Sequence, residues 1–110
     1  MRQLKWVALS KTALSIADVQ IISVNGKRLV LVKHDEEFYA FTSKCPHAGA
    51  DLANGWCSKG YLICPVHRYQ YHLKSGRGAS GQGDYLKNYP VRVSGDQLFI
   101  GFNKPWFRFW

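Results

Sequence analysis

The distribution of hydrophobic and polar residues is typical of β-strands along almost the whole chain. No segment has the length and period of a stable helix, and residues 14–20 are expected to form at most a turn. Strands are predicted over residues 4–9, 19–24, 27–33, 38–43, 69–73, 89–93 and 97–102, with a further hairpin over 55–64. The chain is therefore expected to form an all-β fold with antiparallel sheets.

Turn-forming residues separate the predicted strands. Asn25-Gly26 is the strongest hairpin signal, because both residues tolerate positive φ angles. Further turns are predicted at residues 35–37, 58–60, 74–76 and 94–96. These connections favour an antiparallel β sandwich or a partly open barrel, with a smaller hairpin subdomain at about residues 44–74.

The composition is that of one compact domain. The chain has 110 residues, of which 46% are hydrophobic and 15% aromatic, so residues 1–110 are expected to form a single unit. No signal peptide and no apolar run of membrane-spanning length is recognisable, which predicts a cytoplasmic protein and argues against membrane association. In that compartment the cysteines are expected to be thiols or metal ligands, and their odd number argues against a disulfide framework.

The formal net charge of +8 at pH 7 indicates either an acidic partner or a solvated basic surface. The lysines and arginines are scattered, and they form no basic helix and no nucleic-acid-binding motif. Nucleic-acid binding is therefore not predicted, whereas an acidic protein partner is compatible with the charge.

Two short loops contain the residues with the clearest chemistry. The first has the sequence CPH at residues 45–47, and the second has CPVH at residues 64–67. Each loop supplies one thiolate and one imidazole, which are good ligands for zinc and for iron–sulfur centres. A proline after each cysteine restricts φ and stiffens the loop. The predicted metal ligands are Cys45, His47, Cys64 and His67.

Three explanations of these loops compete. A chance coincidence of cysteines and histidines does not readily produce two such similar patterns. A structural zinc site accepts two cysteines and two histidines, but its usual spacings place the two cysteines close together in one segment and the two histidines close together in another. A [2Fe–2S] cluster gives the arrangement a purpose, because the two cysteines can hold one iron and the two histidines the other. Neutral histidines make such a centre less negative, and therefore more easily reduced, than an all-cysteine cluster.

The ligand pattern resembles the Rieske motif, C-x-H followed by C-x-x-H. The resemblance extends to GADLANGW after the first loop, YQYHLKSGRG after the second and YPVRVSGDQLFI near the end, and it covers about residues 4–102. It implies a [2Fe–2S] cofactor. It also implies a three-sheet, Rieske-like β fold, in which a small hairpin subdomain binds the cluster.

Departures from the family pattern point to its low-potential ferredoxin branch. Ala50 and Val66 occupy the places of two cysteines that form a disulfide in high-potential members. Tyr69 stands where those members have a serine that hydrogen-bonds sulfur, and Tyr71 stands at the family's tyrosine position, where a packing role is favoured over a raised potential. Arg68 replaces a glycine, which puts the backbone geometry in question; its side chain is expected either to meet the cluster or an acidic partner, or to be solvated.

The remaining polar residues are expected to have ordinary roles. Cys57 is expected to pack as a small apolar residue, and His34 and His72 to be unremarkable side chains. Asp51 is expected to be a loop cap, with orientation of a ligand as its alternative role. The aromatic tail at residues 103–110 is expected to pack on the domain, with self-association or partner docking as alternatives.

No catalytic triad, phosphate-binding loop or acid/base carboxylate pair is evident, so the chain is predicted to be a soluble electron-transfer protein rather than an enzyme. It would pass single electrons from a flavoprotein reductase to a terminal oxygenase. One alternative is the small subunit of an assimilatory nitrite reductase, with the large subunit as partner, and another is a zinc-stapled interaction module. The residues expected to form the docking face are Pro46, His47, Ala48, Pro65, His67 and Arg68.

Overall fold

The computed structural model describes residues 3–15, 17–45, 51–65, 68–79, 82 and 85–104. This part of the chain contains ten strands, and its helical segments are two 3-10 turns, Lys11–Ala13 and Leu52–Asn54. The strands are β1 Gln3–Ser10, β2 Val19–Val24, β3 Lys27–His34, β4 Glu37–Thr42, β5 Trp56–Ser58, β6 Tyr61–Ile63, β7 Gln70–His72, β8 Asn88–Tyr89, β9 Val91–Ser94 and β10 Gln97–Lys104. No helix within the described ranges is long and apolar enough to cross a membrane.

The strands form three antiparallel sheets, which confirms the predicted fold class. The central sheet has the order β2-β3-β4-β8, and a second sheet has the order β1-β10-β9. The third, here called the small sheet, has the order β5-β6-β7. It lies within the predicted subdomain at about residues 44–74, whose bounds stay a prediction, as does the assignment of residues 1–110 to one domain.

Strand β3 is buried on both faces and separates two hydrophobic cores. Val30 and Val32 face a core shared with the small sheet, here called the loop-side core. Leu29 and Leu31 face a second core shared with β10. Successive side chains of a strand point to opposite faces, so a strand buried on both faces has the continuous apolar run seen in this segment.

Pro90 divides the strand predicted over residues 89–93. Before it, β8 pairs with β4 of the central sheet, and after it β9 pairs with β10 of the second sheet. Proline lacks the N–H group that a ladder needs, so the chain changes sheets at this position. Its carbonyl still accepts a hydrogen bond from the N–H of Gly101 at 2.9 Å, which holds β8 and β10 together.

Candidate metal centre

Cys45 and Cys64 lie just after strands β4 and β6, at the points where the two loops begin. The first loop is closed by a β-bridge between Lys44 and Asp51. The second is closed by the N–H of Cys64, which donates to the carbonyl of Tyr69 at 2.8 Å. Both cysteine side chains are buried, with 1% and 0% exposure, and both belong to the loop-side core. The fold therefore brings one thiol from each loop into the same apolar surroundings.

The hydroxyl group of Tyr71 lies 3.3 Å from the Sγ atom of Cys45. Tyr71 is on β7, and its side chain is fully buried in the loop-side core. A thiolate carries no proton, so the tyrosine is the donor whenever Cys45 acts as a metal ligand. The expected packing role is therefore accompanied by a hydrogen bond that disperses negative charge on the sulfur.

Asp51 connects the first loop to its surroundings in two directions. Its Oδ1 atom accepts a hydrogen bond from the N–H of Ala53 at 3.0 Å, which confirms the predicted loop cap. Its Oδ2 atom accepts one from the guanidinium of Arg28 at 2.9 Å. Because Arg28 belongs to β3, this ion pair ties the loop to the central sheet. The sequence contains no local signal for the pair, since the two residues are 23 positions apart.

Arg68 has a φ angle of 54°, so it adopts the left-handed conformation for which the family uses glycine. A residue with a side chain is disfavoured there by about 1 kcal/mol. The backbone at Arg68 therefore adopts the left-handed conformation although the residue is not glycine. The side chain of Arg68 is exposed, which puts a positive charge on the second loop.

Two glycines permit close backbone packing around the small sheet. A Cβ atom on Gly55 would lie 2.2 Å from the carbonyl oxygen of Ile63, and one on Gly76 would lie 2.1 Å from that of Leu86. Gly76 also has a φ of +76°. The N–H of Leu86 donates to the carbonyl of Gly76 at 2.5 Å, which fastens the segment before β8 to the turn after β7. Any side chain at either glycine requires the backbone to shift.

Cys57 is half-buried on β5 and packs against the loop-side core, in line with its expected role. Burial, with a smaller contribution from the carboxylate of Asp18, raises the pKa of its thiol to about 11. The thiol is therefore protonated at neutral pH, unlike a metal-bound thiolate.

The two histidines outside the motif have local partners. The ring of His72 stacks on that of Tyr61 with centroids 4.4 Å apart, and the Nε2 atom of His34 lies 3.4 Å from the carboxylate of Asp35. No cluster of three or more metal-binding side chains occurs among the residues that the structure describes.

Several predicted site residues lie outside the described residues, so their placement stays a prediction. These are the ligands His47 and His67, the docking residues Pro46 and Ala48, the disulfide-replacing residues Ala50 and Val66, and tail residues 105–110.

The described part of the site fits an iron–sulfur cluster. An ionised thiolate is costly in an apolar core unless a cation compensates its charge. Cys45 and Cys64 are both placed in such a core, and Tyr71 offers a hydrogen-bond donor to one of the sulfurs. Thiolate ligands favour zinc and iron–sulfur centres over hard cations. The fold and the two buried thiols thus indicate a small all-β protein that is able to hold a soft metal between two loops.

Residues 5–90 match the model of the Rieske [2Fe-2S] domain, and the chain belongs to this family. The ferredoxin component of the alkene monooxygenase system of Xanthobacter autotrophicus is 31% identical over 85 residues, which cover 76% of this chain and 70% of that protein.

Two solved structures share the fold. The ferredoxin of carbazole 1,9a-dioxygenase from Nocardioides aromaticivorans aligns with a TM-score of 0.71 at 21% identity, over 86% of this chain and 93% of that one. A protein described as an NADH-dependent nitrite reductase small subunit from Mycobacterium tuberculosis aligns with a TM-score of 0.76 at 17% identity, over 91% and 96%.

The predicted family, fold and cofactor are confirmed by these comparisons. The protein is a Rieske-type ferredoxin with a [2Fe–2S] cluster, and it transfers electrons rather than catalysing a reaction. The family match also decides between iron–sulfur and zinc, because it leaves no support for the zinc-stapled module.

Proposed function

We propose that this protein carries single electrons from a flavoprotein reductase to a terminal oxygenase, through a cluster held by Cys45, His47, Cys64 and His67. The observation that carries the proposal is the burial of Cys45 and Cys64 in one apolar core, each at the start of a motif loop. The similarity to a ferredoxin component of a monooxygenase system supports the oxygenase as the acceptor. The reductase is inferred from the need for a one-electron donor to such a carrier.

Each residue has a limited task in this proposal. The cluster itself supplies one reversible electron. Cys45 and Cys64 would hold it from the loop-side core, where their side chains are buried, and Tyr71 would donate a hydrogen bond to the Cys45 sulfur. The two histidines of the motif, His47 and His67, would supply the other two ligands. Encounters of this kind are brief and bury about 1,200 Å² or less.

The ligand set can be tested because the chain supplies matched controls. The protein would be purified anaerobically and assayed for iron, acid-labile sulfide and the EPR signal of the dithionite-reduced cluster. Cys45→Ser, Cys64→Ser, His47→Gln and His67→Gln are expected to lose the cluster or to change its EPR spectrum. Cys57→Ser and His72→Gln change the same residue types outside the motif, and both are expected to keep the wild-type iron content and spectrum.

A colourless wild-type protein that binds zinc or no metal would contradict the whole proposal. Loss of the cluster in His72→Gln, with retention of an unchanged spectrum in His67→Gln, would refute the ligand assignment alone. Electron delivery is tested with a flavin-dependent NADH reductase as the donor. The visible absorbance of the cluster is expected to bleach under anaerobic conditions and to return when an acceptor oxidises it.

A second candidate function is that of a nitrite reductase small subunit. The structural similarity to such a subunit covers 91% of this chain, and at 17% identity it supports a shared fold. A lasting contact with a large subunit would suit the basic surface and the aromatic residues of the tail. A tagged copy of the protein distinguishes the two functions. It would copurify in fixed stoichiometry with a large reductase subunit in one case, and run alone in the other.

The location in the cell is also part of the proposal. We place the protein in the cytoplasm, because an odd number of cysteines with two of them in a metal motif suits a reducing compartment. Cell fractionation followed by immunoblotting tests this location.

A further inference from the structure

Charged residues are distributed unevenly between the two ends of the central sheet. Strand β3 pairs with β4 so that Leu29 lies opposite Thr42 at one end and His34 opposite Glu37 at the other. The first end leads directly into the loop of Cys45 and is here called the loop end. The other, which carries the turn between β3 and β4, is here called the far end.

Five of the described carboxylates lie at the far end. The carbonyl of Asp18 accepts a hydrogen bond from the N–H of Lys33, and that of Asp96 accepts one from the N–H of Lys11, both at 2.8 Å. The ammonium groups of Lys11 and Lys33 lie 5.9 and 5.8 Å from the centre of the Phe38 ring, which places both carboxylate residues near the start of β4. The five acidic residues are Asp18, Asp35, Glu36, Glu37 and Asp96.

The loop end is basic. Asp51 is the carboxylate residue that the structure describes there, and its charge is compensated by the ion pair with Arg28. Lys44 is the β-bridge partner of Asp51, and so it lies beside the same loop. Four exposed cationic side chains of this end, Lys27, Arg28, Lys44 and Arg68, are here called the basic patch. Lys44 directly precedes Cys45, Arg68 lies in the second loop, and Arg28 binds Asp51 of the first loop.

We propose that the basic patch is a docking surface for an acidic face of the electron-transfer partner. This inference rests on the proposed function and adds the chemistry of the surface that the partner must present. A partner with clustered carboxylates would be attracted to the loop end, where the described cations outnumber the one carboxylate. At the far end the five carboxylates lie beside cations such as Lys11 and Lys33, so their charges are largely compensated and offer no comparable attraction. The partner would therefore meet the protein with the metal centre between the two molecules. The net charge of +8 has the sign that this complementarity requires.

Two inorganic oxidants of opposite charge serve as probes of the patch. The dithionite-reduced protein is mixed by stopped flow with ferricyanide or with tris(phenanthroline)cobalt(III). In each case one electron leaves the protein and reduces iron(III) to iron(II), or cobalt(III) to cobalt(II). At about 10 mM ionic strength, where the Debye length is about 30 Å, the anionic oxidant is expected to react faster than its driving force alone predicts. That advantage should disappear at about 0.5 M salt.

Charge reversal localises the effect. In the double variant Lys27→Glu/Lys44→Glu, the ratio of the ferricyanide rate to the cobalt rate is expected to fall on the order of tenfold or more at low salt. The use of a ratio is important, because a changed reduction potential would move both rates in the same direction. Lys74→Glu reverses an exposed charge in the turn after β7, away from the loops, and is expected to leave the ratio within about twofold.

A macromolecular probe tests docking directly. Poly-L-glutamate is expected to bind the wild-type protein and Lys74→Glu alike, and the double variant on the order of tenfold more weakly. Equal rate ratios in all three proteins, or equal binding of the polyanion, would overturn the basic patch while leaving the proposed function intact. If neither oxidant removes an electron from the protein, the proposed function itself fails and the docking surface falls with it.

Discussion

Replacing Tyr71 by phenylalanine removes one hydroxyl group from the buried surroundings of Cys45. The hydroxyl lies 3.3 Å from the sulfur, and the tyrosine side chain is fully buried. The substitution keeps the aromatic ring and its packing in the loop-side core. Water has little access to the position, so no other donor replaces the lost hydrogen bond. The expected consequence is a lower reduction potential in a protein that still folds.

The size of the shift follows from the charges of the two redox states. With two thiolates and two neutral histidines, the oxidised centre is neutral overall, and the reduced centre carries one negative charge. A hydrogen bond contributes about 0.5–1.5 kcal/mol with a neutral partner and about 1.5–3 kcal/mol with a charged one. The difference of about 1 kcal/mol corresponds to about 40 mV for a one-electron couple. Tyr71→Phe should therefore lower the potential by about 40 mV.

Redox titration of both proteins, followed by the visible circular dichroism of the cluster, measures this shift. Tyr61→Phe is the matched control, because it removes a hydroxyl from the same small sheet, on a side chain stacked against His72 rather than in contact with Cys45. Its potential is expected to stay within about 10 mV of wild type, well below the shift calculated for the lost hydrogen bond. An unchanged or raised potential in Tyr71→Phe would show that the hydroxyl does not stabilise the reduced state.

Three further outcomes follow from the geometry of the small sheet and the first loop. Gly76→Ala should lower the free energy of unfolding by about 2 kcal/mol more than Gly60→Ala, because both positions have positive φ but only the first meets a backbone carbonyl; equal thermal midpoints would contradict this. With its pKa at about 11, Cys57 should react with iodoacetamide at pH 8 about a hundredfold more slowly than a thiol of pKa about 9, and about tenfold faster per pH unit until pH 11; a rate that levels off below pH 10 would refute the raised pKa. Arg28→Gln and Asp51→Asn should each hasten cluster loss to a chelator, with a coupling of about 1 kcal/mol or less because the pair is partly exposed; additive effects would show that the ion pair does not hold the loop.

Strand positions were predictable because the residues that are buried in each strand form a recognisable pattern in the local sequence. The continuous run Leu29 to Val32 indicated a strand, and the structure places it between two cores. Asn25-Gly26 indicated a hairpin, and its φ angles of 54° and 74° confirm it. The turn at Asp35–Glu36 has the same left-handed pair of angles, 51° and 65°, without a glycine. The pairing of β3 with β4 imposes these φ angles on the turn. The sequence therefore indicated where the turn lies but not its conformation.

The metal motif was recognisable because its predicted ligands are close in sequence within each loop. The interactions that support it are not local. Arg28 reaches Asp51 and Tyr71 reaches Cys45 only after the central sheet and the small sheet have brought distant parts of the chain together, so single-sequence patterns do not indicate these pairs. At Arg68, in contrast, the sequence did indicate a local backbone conformation. The family position suggested a positive φ, and the backbone adopts it although the residue is not glycine.

The side of the proposed metal centre that faces the protein interior is apolar and buried, whereas the side that faces the solvent is charged, and this difference suits an electron carrier. Towards the protein interior, Cys45 and Cys64 follow strands β4 and β6 and are almost fully buried. These two predicted ligands are therefore held where close packing leaves the backbone little freedom. Towards the solvent, Lys44 and Arg68 place exposed positive charges close to the buried cysteines. A rigid apolar support limits rearrangement when the charge of the centre changes, and exposed charge allows partners to associate and leave quickly. A carrier of the proposed kind, which would exchange electrons with two partners in turn, needs both properties at one site, and in this protein the exposed Lys44 directly precedes the buried Cys45.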